Sequence, residues 1–424
     1  MLPVVPKYLG LLRSQYWRRD RLEDLARRRL QKIIAASLTI PFYKKSFGGA
    51  HPGDNLRDFP TLKRQDIPLL NQSTREVHRG QTEFFSDNSS GSTGMPVEFL
   101  FDPGHQSGRY AARIRYLRAN GWNPAHRNVW IVAQTSDDDA SIDSRLQRSI
   151  IRLRSRFLPV FAPFEHQVDL LMEACPEFLY TMPSNLDGLL RVFEKRQTRL
   201  AGLKRVFTGA EVLEDSMRTR VTKVLGVPIS DNYGSTEGFI SWQCPKETYH
   251  VNAEHMMVEI VDEQGQPAAP GQMGKVLITT LENRLMPLIR YEIGDYAIAS
   301  NHVCGCGRSL PVIGKVIGRG INLFRLPGNQ LVSPWPLVGP LKGRPQFRQF
   351  QIVQETVDRY LVRFVADQEP GGDTREEVRS EFSAILGHEI SLAFERIASI
   401  PRTAGGKFMT ALSMCAIEAG AAKE

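Results

Sequence analysis

Short β-type runs alternate with helical stretches from about residue 95 to about residue 300, and this alternation constrains the fold more than any other feature of the chain. Val129 to Val132 reads as a strand, helical periodicity follows near 143–156 and from Val168 to Ala174, Phe178 to Thr181 is strand-like, and Leu186 to Phe193 is helical. Arg205 to Phe207 and Val258 to Val261 add strands. Such alternation predicts α/β layers. Past Gly318 the texture becomes rich in glycine and proline (Pro327-Gly328, Pro334, Pro336, Gly339-Pro340). Strand-like Phe350 to Val353 and Tyr360 to Val365 follow, then a charged helix from Asp373 to Leu386. The expected architecture is α/β, with a large multi-layer N-terminal domain over 1–319 and a small α+β C-terminal domain over 320–424.

Fifty-four Lys and Arg against 46 Asp and Glu leave a formal charge of +8 at pH 7. That balance suits anionic ligands such as nucleotide phosphates and gives no support to nucleic acid as a partner. No window approaches the roughly 18 consecutive apolar residues of a membrane span, and the opening Met1-Leu2-Pro3-Val4 lacks a basic region ahead of a long apolar stretch. A cytoplasmic protein with no integral membrane segment is expected. Five cysteines, at 175, 244, 304, 306 and 415, are too sparse for a disulfide scaffold and predict reduced thiols or a metal site. From Arg18 to Ala36, Leu22, Leu25, Leu30, Ile33 and Ile34 fall near helical spacing among Arg19, Arg21, Arg27, Arg28, Arg29 and Lys32. This predicts an amphipathic helix packed on the domain, with a solvated basic face.

Four segments carry chemistry. Ser89-Ser90-Gly91-Ser92-Thr93-Gly94-Met95-Pro96 offers free N–H groups, hydroxyls and permissive glycines, a candidate phosphate loop that matches neither the Walker nor the dinucleotide fingerprint. In Asp231-Asn232-Tyr233-Gly234-Ser235-Thr236-Glu237-Gly238, the tyrosine ring can face a purine and the carboxylate four residues on can hold Mg²⁺. Arg290-Tyr291-Glu292-Ile293-Gly294-Asp295 ends in an acid able to accept both hydroxyls of a ribose. In Pro401-Arg402-Thr403-Ala404-Gly405-Gly406-Lys407, a lysine on a glycine hinge can bring a compact positive charge to a phosphate undergoing displacement. Read singly, the first three are equally compatible with an ordinary turn or surface loop, and the fourth is better explained as a solvated lysine in a hairpin.

Together, in this order, they resemble the adenylate-forming superfamily of acyl-CoA synthetases, peptide-synthetase adenylation domains and luciferases, and most nearly the phenylacetate-CoA ligase family with its CapK-like branch. The likeness spans about residues 85–410 and includes Thr208-Gly209-Ala210-Glu211, His250 to Glu254, Leu288 to Tyr291, Cys304-Gly305-Cys306-Gly307-Arg308 and Gly318-Arg319. The resemblance implies that ATP and a carboxylic acid give acyl-AMP and pyrophosphate, after which a thiol of coenzyme A or of a carrier-protein phosphopantetheine takes the acyl group. It places Ser89, Ser90, Gly91, Ser92, Thr93 and Gly94 around the β- and γ-phosphates and Tyr233 on adenine. Thr236 goes to the α-phosphate, Glu237 to Mg²⁺, Asp295 to the ribose, and Arg319 beside ribose and phosphates at a hinge. Gly209, Ala210, Glu211, Asp231, Asn232 and Gly234 join the nucleotide site, and Lys407 bridges carboxylate and α-phosphate from a mobile C-terminal lid. The implied pocket residues are Tyr180, Met182, Pro183, Ser184 and Asn185. The resemblance implies as partners a small acid, aryl in class, an acyl carrier protein, and a second copy of the chain in a homodimer.

The chain departs from that family at three places. Met95 stands where lysine is common, Ile321 or Asn322 replaces the usual hinge acid, and Gln134 to Arg156 replaces the glycine- and aromatic-rich segment of phenylacetate ligases. A rival reading is therefore a non-catalytic or acyl-transfer homologue serving as a binding partner in a biosynthetic assembly. Met95 and the altered hinge favour it, while Glu237, Asp295 and Lys407 oppose it. Finally, Cys244, His250, Cys304 and Cys306 supply a Cys-x5-His and a Cys-x-Cys pair, four ligands for a closed structural Zn²⁺, with His255 as a competing ligand. Cys175 and Cys415 stand apart and are expected to be buried apolar residues.

Overall fold

The computed structural model describes residues 4–46, 55–80, 84–89, 97–133, 154–342, 344–366, 368–403, 406 and 408–415. The chain divides into two compact units, Met1–Val316 and Ile317–Glu424.

The first unit opens with helices α1 (Val4–Ser14), α2 (Arg19–Ser37), α3 (Pro41–Ser46) and α4 (Ile67–Val77). The basic helix of the sequence is α2, with Leu22, Leu30, Ile33 and Ile34 buried and Arg27 and Arg28 exposed. Strands β1 (Phe85–Asn88) and β2 (Glu98–Phe101) form an antiparallel ladder, followed by α5 (Pro103–Ala119). Then come β3 (Asn128–Val132), β4 (Ser155–Pro159), α6 (Phe164–Ala174), β5 (Phe178–Tyr180), α7 (Pro183–Arg196), β6 (Arg205–Gly209), α8 (Asp215–Leu225) and β7 (Ile229–Ser235). This is the strand–helix alternation that the apolar patterning demands. The helix read at 143–156 needs correction at its end, because Ser155 and Arg156 are extended and pair with β3, as the alternate burial of that segment requires. Its earlier residues lie outside the described ones.

Antiparallel β8 (Gly238–Gln243), β9 (Tyr249–Val251) and, much later, β13 (Val312–Ile313) complete an eight-stranded sheet of order β13-β9-β8-β7-β6-β5-β3-β4. β4, β3, β5, β6 and β7 are mutually parallel. Successive residues alternate between the two faces. Val129, Ile131, Leu179 and Val206 enter one core with α6, α7 and α8, while Trp130, Phe178 and Phe207 enter another with Tyr116 and Leu117 of α5. A second sheet contains β10 (Met256–Val261), β11 (Met273–Thr280), β12 (Tyr291–Ile298) and β14 (Lys315–Arg319), the strand on which the chain leaves this unit.

Polar contacts at buried and half-buried side chains join the N-terminal helices to this framework. Arg115 of α5 reaches Glu254 at 2.7 Å, and Ser14 at the end of α1 donates to the same carboxylate. Lys7 and His255 meet Glu282 at 2.7 and 2.8 Å.

The second unit contains β15 (Phe324–Arg325) paired with β16 (Leu331–Val332), and a four-stranded sheet of order β19-β18-β17-β20. Those strands are β17 (Gln349–Gln354), β18 (Arg359–Val365), β19 (Ser391–Arg396) and β20 (Ala411–Ser413). Helix α9 (Gly372–Leu386) packs Val378, Phe382 and Leu386 into a core with Ile352, Val362 and Phe364. The α/β class with a separate small C-terminal domain agrees with the sequence expectation.

Candidate active site

The site is built where chain irregularities meet the carboxyl ends of the parallel strands. Ser89 closes β1: its N–H donates to the Val97 carbonyl at 3.0 Å, and its hydroxyl accepts from Arg64 at 2.8 Å. This clamps the neck of the serine- and glycine-rich loop. Ser90, Gly91, Ser92, Thr93 and Gly94, with Met95, lie outside the described residues, as does Lys407.

Two β-bulges then bring distant motifs together. Pairing of β7 with β8 slips between Tyr233 and Gly234, and pairing of β11 with β12 slips by two residues around Gly294, whose φ is 84°. A bulge leaves residues outside the ladder and re-aims their side chains. The consequence is that the Tyr233 hydroxyl donates to the Asp295 carboxylate at 2.8 Å, both residues being almost fully buried. The motifs implied for adenine and ribose thus converge from two sheets.

Thr236 and Glu237 form the turn between β7 and β8, with Glu237 buried. That turn is pinned by His105, whose Nε2 lies 3.1 Å from the Glu237 carbonyl. Burial, with Arg109 nearby, pushes the His105 imidazole down to about 3, so it is neutral and donates to the carbonyl. Stacking on Phe101 at 5.1 Å fixes its ring. Arg109, one helical turn on, is held below the usual arginine range by burial and is drawn the other way by Asp87, Tyr110 and Glu237.

Asp231 and Asn232 act on the framework around this turn. The Asp231 carboxylate accepts from Thr208 at 2.7 Å and from the Tyr249 hydroxyl, and burial raises it to about 6 despite both bonds. Asn232 donates to the Thr208 carbonyl at 2.6 Å and reaches the Tyr180 hydroxyl at 3.4 Å. Gly209 ends β6 where a Cβ would stand 2.6 Å from Asn232 and 2.8 Å from the Tyr180 hydroxyl, a space no larger residue shares. Ala210 then takes a left-handed φ of 69°, a strained turn for a residue with a Cβ. Glu211 follows and accepts from the N–H and hydroxyl of Ser184 at 2.8 and 2.9 Å, steadying the start of α7. Arg319 lies in the second unit, exposed at the end of β14.

A separate cluster joins the antiparallel strands. Cys244 follows β8, His250 lies in β9, and Cys304 and Cys306 precede β13. One ligand atom from each lies within 4.8 Å of all the others. The Cys244 and Cys304 sulfurs are 3.6 Å apart, far beyond a disulfide, and Cys306 sulfur is 3.3 Å from His250 Nε2. A tetrahedral Zn²⁺ with bonds of ~2.3 Å to sulfur spaces its sulfurs ~3.8 Å apart, so the donor set and its dimensions fit that ion. Burial pushes the Cys244 thiol up to about 12 and the His250 imidazole down to about 4. His255 takes no part, being bound to Glu282. The expectation of buried Cys175 and Cys415 is overturned: Cys175 is an exposed helix cap with φ 44°, forced outward by the left-handed turn ending α6, and Cys415 is half-buried beyond the last strand.

The side chains that sequence motifs did not mark are His105, Arg109 and Arg113, set four residues apart along α5. Their helical spacing was visible; the strand ends they face were not.

Comparison with known proteins matches residues 153–283 to the AMP-binding enzyme family and residues 329–413 to the CapK C-terminal domain. A phenylacetate-coenzyme A ligase of Thermus thermophilus is 27% identical over 410 residues, covering 90% of this chain and 89% of its own. Protein CapK of Staphylococcus aureus is 25% identical over 207 residues, 48% of this chain and 44% of its own. Among solved structures, 2-hydroxyisobutyryl-CoA ligase in the postadenylation state aligns with a TM-score of 0.74 at 20% identity, covering 95% of this chain and 93% of that one. Fold, paired domains and relatives agree: the chain carries an AMP-binding enzyme domain and a CapK C-terminal domain and is an adenylate-forming ligase similar to phenylacetate-CoA ligases and to CapK.

Proposed function

We propose that this ligase activates a small aryl carboxylic acid as acyl-AMP and passes the acyl group to the thiol of coenzyme A or of a carrier-protein phosphopantetheine. The observation that supports the reading is the 2.8 Å contact of Tyr233 with Asp295, which brings the tyrosine of one motif and the carboxylate of another together, as a shared nucleotide site requires. In this reading the Tyr233 ring covers adenine and Asp295 accepts from the ribose hydroxyls. Thr236 donates to the α-phosphate, and the loop based on Ser89 wraps the leaving phosphates. Glu237 holds Mg²⁺, which supplies charge neutralisation for the phosphates. Carboxylate and phosphate repel before they react, so neutralisation and in-line alignment supply the rate, and Lys407 serves both in the adenylation step.

Structural Zn²⁺ at Cys244, His250, Cys304 and Cys306 is part of the same proposal, supported by the closed four-ligand set. A cytoplasmic location accords with cysteines gathered for a metal rather than for disulfides.

The test incubates the protein with ATP, Mg²⁺ and pooled aryl, amino-aryl and fatty acids, with hydroxylamine as trap. The expected result is acid-dependent pyrophosphate release with the hydroxamate of one acid class, reduced about 100-fold or more by Lys407→Ala. ATP binding with no pyrophosphate from any acid is the result that favours the non-catalytic homologue.

A further inference from the structure

The order β4-β3-β5-β6-β7 places the topological switch point of the parallel sheet between β3 and β5, because β4 lies outside β3 and the chain then crosses to its other side. In open α/β sheets the crevice beyond the carboxyl ends of the strands flanking that point is the natural ligand site. Trp130 of β3 and Tyr180, the last residue of β5, are cross-strand partners at that point and pack together with ring centroids 4.7 Å apart. The Tyr180 hydroxyl reaches Asn232 and the surface of Gly209, so this crevice is continuous with the strand ends that carry the nucleotide motifs.

The Arg113 guanidinium lies 4.9 Å from the Trp130 centroid and 5.4 Å from that of Tyr180. Among the described residues it has no hydrogen bond and no carboxylate partner, although it is half-buried. Its helical neighbour Arg109 differs: its guanidinium lies 5.3 Å from the Phe101 centroid and reaches the Gln106 side-chain oxygen at 3.4 Å, with Asp87 and Glu237 favouring its charge. A stacked guanidinium keeps its edge donors free, and two aromatic faces shed the water that otherwise weakens an ion pair. An arginine kept there without an anion is a cost that a bound anion offsets.

We propose that Arg113 is a specificity-determining residue that binds a second carboxylate of the substrate, so that the acid activated is a dicarboxylic acid. The reacting carboxylate lies toward Glu237 and the far one meets the edge of Arg113 above Trp130 and Tyr180. This rests on the ligase reading above and deepens it.

The test measures acid-dependent pyrophosphate release for matched pairs, phenylacetate against 4-carboxyphenylacetate and butyrate against glutarate, with native protein, Arg113→Met and Arg113→Lys. The native ratio of kcat/KM, diacid over monoacid, is expected to exceed one in at least one pair. It should fall on the order of 100-fold in Arg113→Met, and Arg113→Lys, which retains charge and bulk if the methionine variant misfolds, should recover part of it. A native ratio at or below one in both pairs overturns the proposal, as does an equal loss for both acids in the variants, and either leaves the ligase reading standing. Failure of all four acids, while another acid is activated, overturns the dicarboxylate proposal alone. Failure of every acid tried overturns the ligase reading and the proposal together.

Discussion

Asp231 shows how a residue in a recognisable motif can serve the site from beneath it. Its carboxylate is raised from 3.8 to about 6 by burial, with Thr208 and Tyr249 opposing the shift through hydrogen bonds. A carboxyl with a raised folded pKa holds its proton more tightly when folded. Its contribution is therefore complete below pH ~3.8 and is lost as pH rises through about 6, at a cost of about 3 kcal/mol. Asp231→Asn removes the ionisation. The native protein should lose stability relative to that variant between pH 4 and 7, which thermal unfolding at a series of pH values checks. Sequence alone showed an acid beside a tyrosine; whether it met solvent, ligand or core depended on Tyr249, a residue 18 positions away.

At the scale of elements, bulges and junctions matter more than the regular strands. The strands that patterning predicts are present because their short apolar runs are buried on both faces of the sheet, but no pattern announces where a ladder slips. The slips at Gly234 and Gly294 are what bring Tyr233 onto Asp295. The cysteine cluster is the converse case, since its ligand spacing was legible before the strands were known. It ties together the ends of β8, β9 and the segment before β13, three antiparallel pieces at the edge of the sheet. If Zn²⁺ holds them, elemental analysis should find one equivalent per chain. Cys304→Ser should lose it and lower the melting temperature, and chelation of the native protein should reproduce the loss without changing the sequence.

Across the whole molecule, the two units have separate cores, with Phe324, Ile352, Val362, Phe364 and Phe382 forming that of the second. A fragment of residues 1–316 contains Tyr233, Glu237 and Asp295 but lacks Lys407. It should unfold cooperatively and bind ATP within about tenfold of the full chain, while acid-dependent pyrophosphate release falls about 100-fold or more. Calorimetric binding and a pyrophosphate assay on the same preparation separate the two effects. Periodicity and motif order by themselves determined the α/β class, the change of texture after Gly318, the four candidate segments and the metal-type ligand set, because these depend on neighbours along the chain. Only the tertiary structure decided that Tyr233 meets Asp295, that Asp231 is buried, that Cys175 is exposed and that Arg113 stands over the switch point. Those facts depend on which strands become neighbours in space, and strand order is set by the packing of the whole sheet, which no local pattern encodes.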